Sequence, residues 1–265
     1  MPATALGSLG RVALFGGIYN NHLALSAAID DASRRGAEHL ICLGDLGAFG
    51  PNPAKVFPLL TDHDVVTMQG NYDHSIGHEL ADCQCGYTDP ADNHFARLSY
   101  DYTYANTPVE LRPWLRDLPE QLRFESGGKR VLCVHGSPRQ MNEFLWESTT
   151  PTHLLERFCD EGNCDVLICT HTGIPWTRQL SGDRLAINVG CLGRPANDGT
   201  PEVGYHLLEP GSAGEYVRLA YDHEALAEEM QSEGIAEPFV DTVLSGWWTT
   251  CLEILPAKER ANGRW

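Results

Sequence analysis

The sequence predicts an α/β fold, and three observations carry that prediction. The first seventy residues alternate short apolar runs with amphipathic segments: RVALFG (11–16), LALSAAIDDASRRG (23–36), HLICLG (39–44), PAKVFPLLTDH (53–63) and VVTMQG (65–70). That is the rhythm of parallel strands joined by crossover helices packed on their faces. Each of these strands runs out in glycine, and two of the glycines are followed by Asp45 and Asn71. In open α/β sheets the loops after the carboxyl ends of the strands carry the site. Finally, RLAINVG (184–190), VGYHLLE (203–209) and EYVRLAY (215–221) alternate as antiparallel strands do, so one compact two-sheet domain is the simplest organisation.

The elements follow in order. VALFGGIYNNHLAL (12–25) reads as a buried strand that empties through Gly16-Gly17 into a helix. In sheet proteins of this build that turn usually bears metal-binding carboxylates and imidazoles; here it offers Gly17 and Tyr19. Residues 71–107 are polar, rich in His and Tyr and weakly periodic, the mark of an active-site excursion rather than of core. TPVELRPWLRDLP (107–119) reads as a short helix capped by Thr107 with Pro108 at its first position. QLRFES and KRVLCVHG form a hairpin around Gly127-Gly128. A loop (137–150), a helix (151–162) and the strand DVLICT (165–170) come next. An acidic helix (223–234), a second helix near 238–248 and a loose tail close the chain. The expected division is a domain over residues 1–222 and a helical extension, 223–265, packed on that same domain, with Trp247 and Trp248 making the contact. No internal repeat or low-complexity linker interrupts it.

Composition narrows the function. A chain of 265 residues with 42% hydrophobic and 21% charged residues can bury a large core. A formal charge of −17 with a pI near 4.9 disfavours a partner held by phosphate-backbone electrostatics, whereas a small phosphorylated ligand remains compatible if a metal supplies local positive charge. MPATALGSLGR has no cationic region leading into a long apolar core, and no segment approaches the roughly 18 apolar residues of a membrane span. The expectation is a cytoplasmic protein that binds neither nucleic acid nor membrane. Nine cysteines is an odd number. Cys42, Cys133, Cys169 and Cys191 sit in strand-like runs, where a reduced thiol acts as a small hydrophobe. Cys83 and Cys85 are spaced too tightly for a Cys-x-x-Cys zinc knuckle; surface thiols without a role are the default, with redox sensing or a metal contact as the alternatives.

Four metal-competent side chains stand at successive strand ends: Asp45 after CLG, Asn71 after MQG, His135 after VLCV and His171 after LICT. Singly, each has an ordinary explanation as a cap, a turn residue or a half-buried imidazole. As an ordered set, a carboxylate, an amide oxygen and two imidazoles form a shell for Zn, Mn or Fe.

GDLGAFGPNP (44–53), GNYD (70–73), VHGSPR (134–139), THTGIP (170–175) and NVGCLGRP (188–195) together resemble the ordered signature of the calcineurin-like metallophosphoesterases, in particular their small bacterial and archaeal phosphodiesterase branch, over residues from about 11 to about 210. The resemblance implies a four-layer α/β/β/α sandwich of two mixed sheets flanked by helices, with a two-metal site at the strand ends. Carried over by motif, Asp45 would bridge the metals while Asn71, His135 and His171 complete the second metal's shell. The first metal's ligands are another matter. The family's opening Asp-x-His is matched by Gly17 and Tyr19, and its closing Gly-His-Thr-His by Thr170-His171-Thr172-Gly173, so three of that metal's four ligands are replaced. The Gly-Asn-His-Asp motif has become Gly-Asn-Tyr-Asp, which puts the phenol of Tyr72 where the resemblance places an imidazole acid.

The resemblance therefore implies a metal-dependent phosphoesterase of small phosphorylated substrates with one ion rather than two; a non-catalytic relative that binds a phosphorylated ligand or protein partner, and a repurposed metalloenzyme, are the alternatives. Tyr72 and Asp73 are the candidate catalytic pair: an unperturbed phenol with pKa near 10 is a poor acid but can bond a phosphate oxygen, and Asp73 can take its proton. Tyr19 is a candidate substrate-binding residue; it either rebuilds a divergent site, with Asp45 and a thiolate of Cys83 or Cys85, or fills the space left by the lost ligands. Arg139 is the nearby cation suited to bidentate phosphate contact. The segment NEFLWESTTPTH (142–153) reads either as a lid or as core.

Overall fold

The structure, a computed structural model, describes residues 3–261. Eleven strands are defined among them: β1 (Thr4–Ser8), β2 (Val12–Phe15), β3 (His39–Cys42), β4 (Val66–Thr67), β5 (Gln121–Ser126), β6 (Lys129–Val134), β7 (Val166–Cys169), β8 (Pro175–Gln179), β9 (Leu185–Val189), β10 (Val203–Leu208) and β11 (Glu215–Leu219). The helices used below are α1 (His22–Arg34), α2 (Val56–Asp62), α3 (Asn71–Gly77), α4 (Pro90–Asn106), α5 (Arg112–Arg116), α6 (Thr152–Gly162), α7 (His223–Ser232) and α8 (Glu237–Ser245).

The strands form two mixed sheets, one of order β1-β5-β6-β7-β9-β8 and one of order β11-β10-β2-β3-β4. β2, β3 and β4 run parallel, as do β6, β7 and β9, so the carboxyl ends of each set reach one rim of the sandwich. The period-2 alternation of strand side chains explains why the sheets stack. Val12 and Leu14 of β2 point inward, where they meet Ile41, Leu43 and Met68 and, from the facing sheet, Leu122, Val131, Cys133, Ile168 and Ile187. Their neighbours Ala13 and Phe15 point outward and are covered by Ala24, Leu25, Ala28 and Ile29 of α1. On the opposite side Leu132, Val134, Leu167 and Cys169 are covered by Leu155, Phe158 and Cys159 of α6. Helix, sheet, sheet, helix is the resulting order, the four-layer sandwich expected.

Three local expectations are corrected. The stretch after residue 71 is not an irregular excursion: it holds α3 and the 17-residue α4. The buried face of α4 is Asp92, Ala96, Ser99, Tyr100 and Thr103, which has helical spacing but little hydropathy, so apolar periodicity does not reveal it. Thr107 does not cap a following helix; it closes α4, its hydroxyl donating to the Thr103 carbonyl at 2.7 Å, and Arg112–Arg116 forms a helix of its own after a short 3-10 turn. Strand β1 escapes pattern reading because it is an exposed edge strand ordered by pairing with β5.

The chain's last helices pack on the body. Leu226, Met230, Phe239 and Val240 form a cluster with Leu23, Phe49 and Phe95. The carboxylate of Asp92 accepts the amides of Glu253 and Ile254, and Glu259, itself buried, accepts the amide of Ser148 at 2.8 Å. Trp248 is buried, whereas Trp247 is half-buried. No helix among the described residues is long and apolar enough to cross a membrane.

Candidate metal centre

Asp45 and Asn71 come from the loops after β3 and β4, and His135 and His171 from those after β6 and β7, so the centre straddles the rims of both sheets. Asp45, His135 and His171 converge, each offering one ligand atom, with these atoms all within 4.8 Å of one another. Asp45 Oδ2 lies 3.1 Å from His135 Nε2, which lies 3.2 Å from His171 Nδ1. All three side chains are buried.

The surrounding backbone orients each donor. His135 donates its Nδ1 proton to the Leu43 carbonyl at 2.7 Å, which leaves Nε2 facing the cluster. Asp45 Oδ1 accepts the Tyr72 amide at 3.0 Å, which turns Oδ2 inward. Asn71 donates Nδ2 to the Cys83 carbonyl at 2.8 Å and to Cys85 Sγ at 3.4 Å. That leaves its Oδ1 buried with no hydrogen-bond partner. A buried acceptor without a donor is costly, and a cation satisfies it. Asp45 (φ 58°) and His171 (φ 62°) both hold left-handed backbone, a conformation that side chains other than Gly adopt rarely and that clusters at functional sites.

Electrostatics couple the donors. Burial disfavours charge on Asp45 and His135 alike, but each offsets it for the other: the Asp45 carboxyl is held below its ordinary value by the His135 imidazolium, and His135 is raised by Asp45. Burial, and then the charge of His135, push His171 down to about 3, so its imidazole is neutral and available as a ligand. A carboxylate, two imidazoles and an unsatisfied amide oxygen fit a divalent transition-metal ion.

The neighbouring position, where the sequence lacks ligands, is filled. A Cβ added at Gly17 would stand 2.7 Å from Tyr19 Cζ and closer still to Cε1: the phenol ring lies over the glycine. A Cβ at Gly173 would stand 3.0 Å from Trp248 Cη2, so a ring from the far end of the chain covers that glycine too. Arg194 lies over the Trp248 ring at 4.0 Å and the Phe49 ring at 4.8 Å, donating to the Thr250 carbonyl at 2.9 Å. Its guanidinium is buried, and no carboxylate pairs with it among the described residues. It acts electrostatically on Tyr19 and Cys191. Where a second cation's ligands are missing, the fold thus places two aromatic rings and a fixed positive charge. Neither Arg194 nor Trp248 is reachable from sequence pattern; an arginine inside the small-residue loop CLGRP was the available signal for the first.

Several candidate residues do other work. Tyr19 is buried edge-on to Phe49 at 5.1 Å. Burial first, then Cys191 and Asp45, raise its phenol further above its ordinary value. It fills space. Tyr72 donates its hydroxyl to Ser99 Oγ at 3.0 Å, and burial raises its phenol above its ordinary value. Asp73 does not face that phenol: its carboxylate accepts the amides of Asp45 (2.7 Å), Gly70 (2.9 Å) and Leu46 (3.1 Å), tying two strand-end loops together. Burial, and then the charge of Asp45, push Asp73 up to about 7 against the pull of those amides. Arg139 is engaged by Glu143 through Nε at 2.9 Å and through Nη2, and lies over Phe158. No hydrogen bond or ion pair among the described residues joins it to the centre. Cys83 and Cys85 are neither surface thiols nor thiolate ligands; they are buried and joined in a disulfide. The segment after Ser137 covers the centre: the Phe144 ring lies tilted against His171 at 4.3 Å and stacks on Trp146 at 5.5 Å.

Fold and donor set together define a metallophosphoesterase-type centre, and comparison with known proteins gives the same class. Residues 11–213 match the calcineurin-like phosphoesterase superfamily domain, and the chain belongs to that family. An uncharacterised protein of Methanocaldococcus jannaschii is 25% identical over 242 residues, covering 85% of this chain and 94% of the relative. Among solved structures, a hypothetical protein from Pyrococcus horikoshii superposes with a TM-score of 0.75 at 20% identity, covering 90% of this chain and 99% of that one. A metallophosphoesterase from Sphaerobacter thermophilus superposes with a TM-score of 0.70 at 22% identity, covering 90% and 100%. These two are likenesses of fold.

Proposed function

We propose that this chain is a metal-dependent phosphoesterase that hydrolyses a small phosphorylated molecule with one transition-metal ion, Mn, Fe or Zn, held by Asp45, Asn71, His135 and His171. The observation that supports this most is the convergence of the Asp-His-His donor atoms beside an amide oxygen, Asn71 Oδ1, that has no protein partner. Such an ion supplies positive charge and Lewis acidity toward a phosphoryl oxygen. The chain's own part is to orient and to exclude water. The Leu43 carbonyl and the Tyr72 amide fix His135 and Asp45, Asp73 ties the loop of Asp45 to the one that leads into Asn71, and Phe144 shields His171. With the Tyr72 hydroxyl given to Ser99, this position supplies no proton to a departing oxygen. The substrates favoured are therefore those whose leaving group departs unprotonated, as aryl esters do. Seven cysteines remain as buried free thiols, in keeping with the cytoplasm.

The closed cover over His171 favours a second reading, an ion-holding module that binds a phosphorylated ligand without turnover. Metal content by mass spectrometry, with turnover of nitrophenyl phosphodiester and monoester under Mn, Fe, Zn and Co, separates the two. The expected result is a single ion per chain and hydrolysis abolished by His135→Ala. Silence with every metal despite a bound ion selects the binding module; absence of any bound ion rejects both.

A further inference from the structure

We propose that Cys83 and Cys85 form a reversible redox site that sets the orientation of Asn71, and through it the ion affinity and the closure of the centre; the first half of that consequence rests on the ion-binding reading above. Of nine cysteines these two are joined, across a single intervening residue. Chain-entropy stabilisation by a disulfide grows with the loop it closes, and this loop is about as short as a loop can be. Global stability therefore does not account for the bond. Its position does.

Both polar contacts of the Asn71 amide group run to this pair: to the Cys83 carbonyl at 2.8 Å and to Cys85 Sγ at 3.4 Å. They occupy Nδ2 and leave Oδ1, the unsatisfied atom, as the group free for a cation. The same segment forms part of the cover. Gln84, in left-handed backbone (φ 51°), is fixed from one side by Asp82, which accepts its amide at 2.9 Å, and from the other by Asn142, which donates to its carbonyl at 2.7 Å. Tyr87 stacks on Phe144, and Phe144 lies tilted against His171. The turn that contains the disulfide thus touches one ligand directly and another through two rings.

The pair is reachable. A cavity of about 400 Å³ is lined by Cys83, Gln84, Cys85, Tyr87, Arg97 and Asn142. In a reducing compartment a disulfide is usually transient, and either catalytic or sensing. The exchange balances with a dithiol reductant. One of its thiolates attacks a sulfur of the Cys83–Cys85 bond and forms a mixed disulfide; its second thiolate displaces the protein thiolate. Two electrons and two protons pass to Cys83 and Cys85, and the reductant leaves as its own disulfide. Oxidised glutathione reverses the step. Reduction releases the turn from its constraint, so that Asn71 is no longer held with Oδ1 toward the cation.

The test uses the full chain, reduced with dithiothreitol or oxidised with oxidised glutathione and then freed of the reagent, with thiol trapping and mass spectrometry to read the state of the pair. Mn²⁺ is the probe, because it favours oxygen ligands over thiolates. Reduction is expected to weaken Mn²⁺ binding by about 10- to 100-fold, the effect typical of losing a group that orients a ligand. Cys83→Ser/Cys85→Ser is expected to bind as the reduced protein does, whatever the poise. Amide hydrogen exchange over residues 83–87 of the ion-free protein is expected to quicken on reduction. Equal affinity in the two states, with unchanged exchange, overturns the proposal and leaves the single-ion reading standing; so does a pair that stays reduced in oxidised glutathione. Failure to bind Mn²⁺, Fe²⁺ or Zn²⁺ in either state rejects the single-ion reading instead, and the exchange measurement alone then decides the redox site.

Discussion

Restoring side-chain volume at Gly17 tests whether Tyr19 is a packing element. A methyl group at Gly17 would stand 2.7 Å from Tyr19 Cζ, inside van der Waals contact. The ring has nowhere to go, being edge-on to Phe49 and buried. Overpacking of this kind costs about 1–3 kcal/mol, so Gly17→Ala is expected to lose about 2 kcal/mol. In a chain of this size that corresponds to a fall in Tm of about 4–8 °C. Tyr19→Ala alone removes a buried aromatic ring and is expected to cost about 3–4 kcal/mol. If the ring is the obstacle, the methyl costs nothing once the ring is gone. The double variant Gly17→Ala/Tyr19→Ala is then about 2 kcal/mol more stable than the sum of the singles predicts. Urea unfolding of the four proteins gives the coupling directly. Additivity within about 0.5 kcal/mol refutes the claim that Tyr19 occupies the space beside Gly17.

Two further outcomes are expected. A cation must displace the proton of His135, which Asp45 holds above its ordinary value of 6.5 against the opposing effect of burial; Mn²⁺ affinity should therefore climb about tenfold per pH unit from pH 6 upward and level off once the raised value is passed, and a flat profile in a calorimetric titration contradicts the assigned protonation. Tyr72→Phe removes only the bond to Ser99, so nitrophenyl ester turnover should be unchanged and stability lower by about 1 kcal/mol; a fall in kcat with unchanged stability would return the phenol to the chemistry.

The centre was legible in sequence wherever a hydrophobic run stops at a metal-competent side chain, directly or after one glycine. Asp45, Asn71, His135 and His171 each lie just beyond such a run, and parallel strands carry their ends to one rim. What could not be read depends on contacts between distant residues. The Trp248 ring reaches Gly173 across 75 positions, and nothing local in either stretch announces the meeting. Ser99, which takes the Tyr72 hydroxyl, lies on a helix whose inner face is too polar to register as amphipathic. Arg139 looked free because a sequence shows charges but not their partners, and Glu143 is one turn away. The Cys83–Cys85 bond fell outside the expectation of a reduced cytoplasmic chain.

The rings over Gly17 and Gly173 also constrain how this chain can change. Re-creating the Asp-x-His ligands one residue at a time passes through an aspartate forced against a phenol, or through a histidine at position 17 plus two in a chain that has given up its aromatic filling. Either intermediate is less stable than what precedes it. Each of these glycines is closed to a larger side chain by the ring that lies over it, and Gly173 also by its left-handed backbone, so the path back to two ions is uphill at its first step.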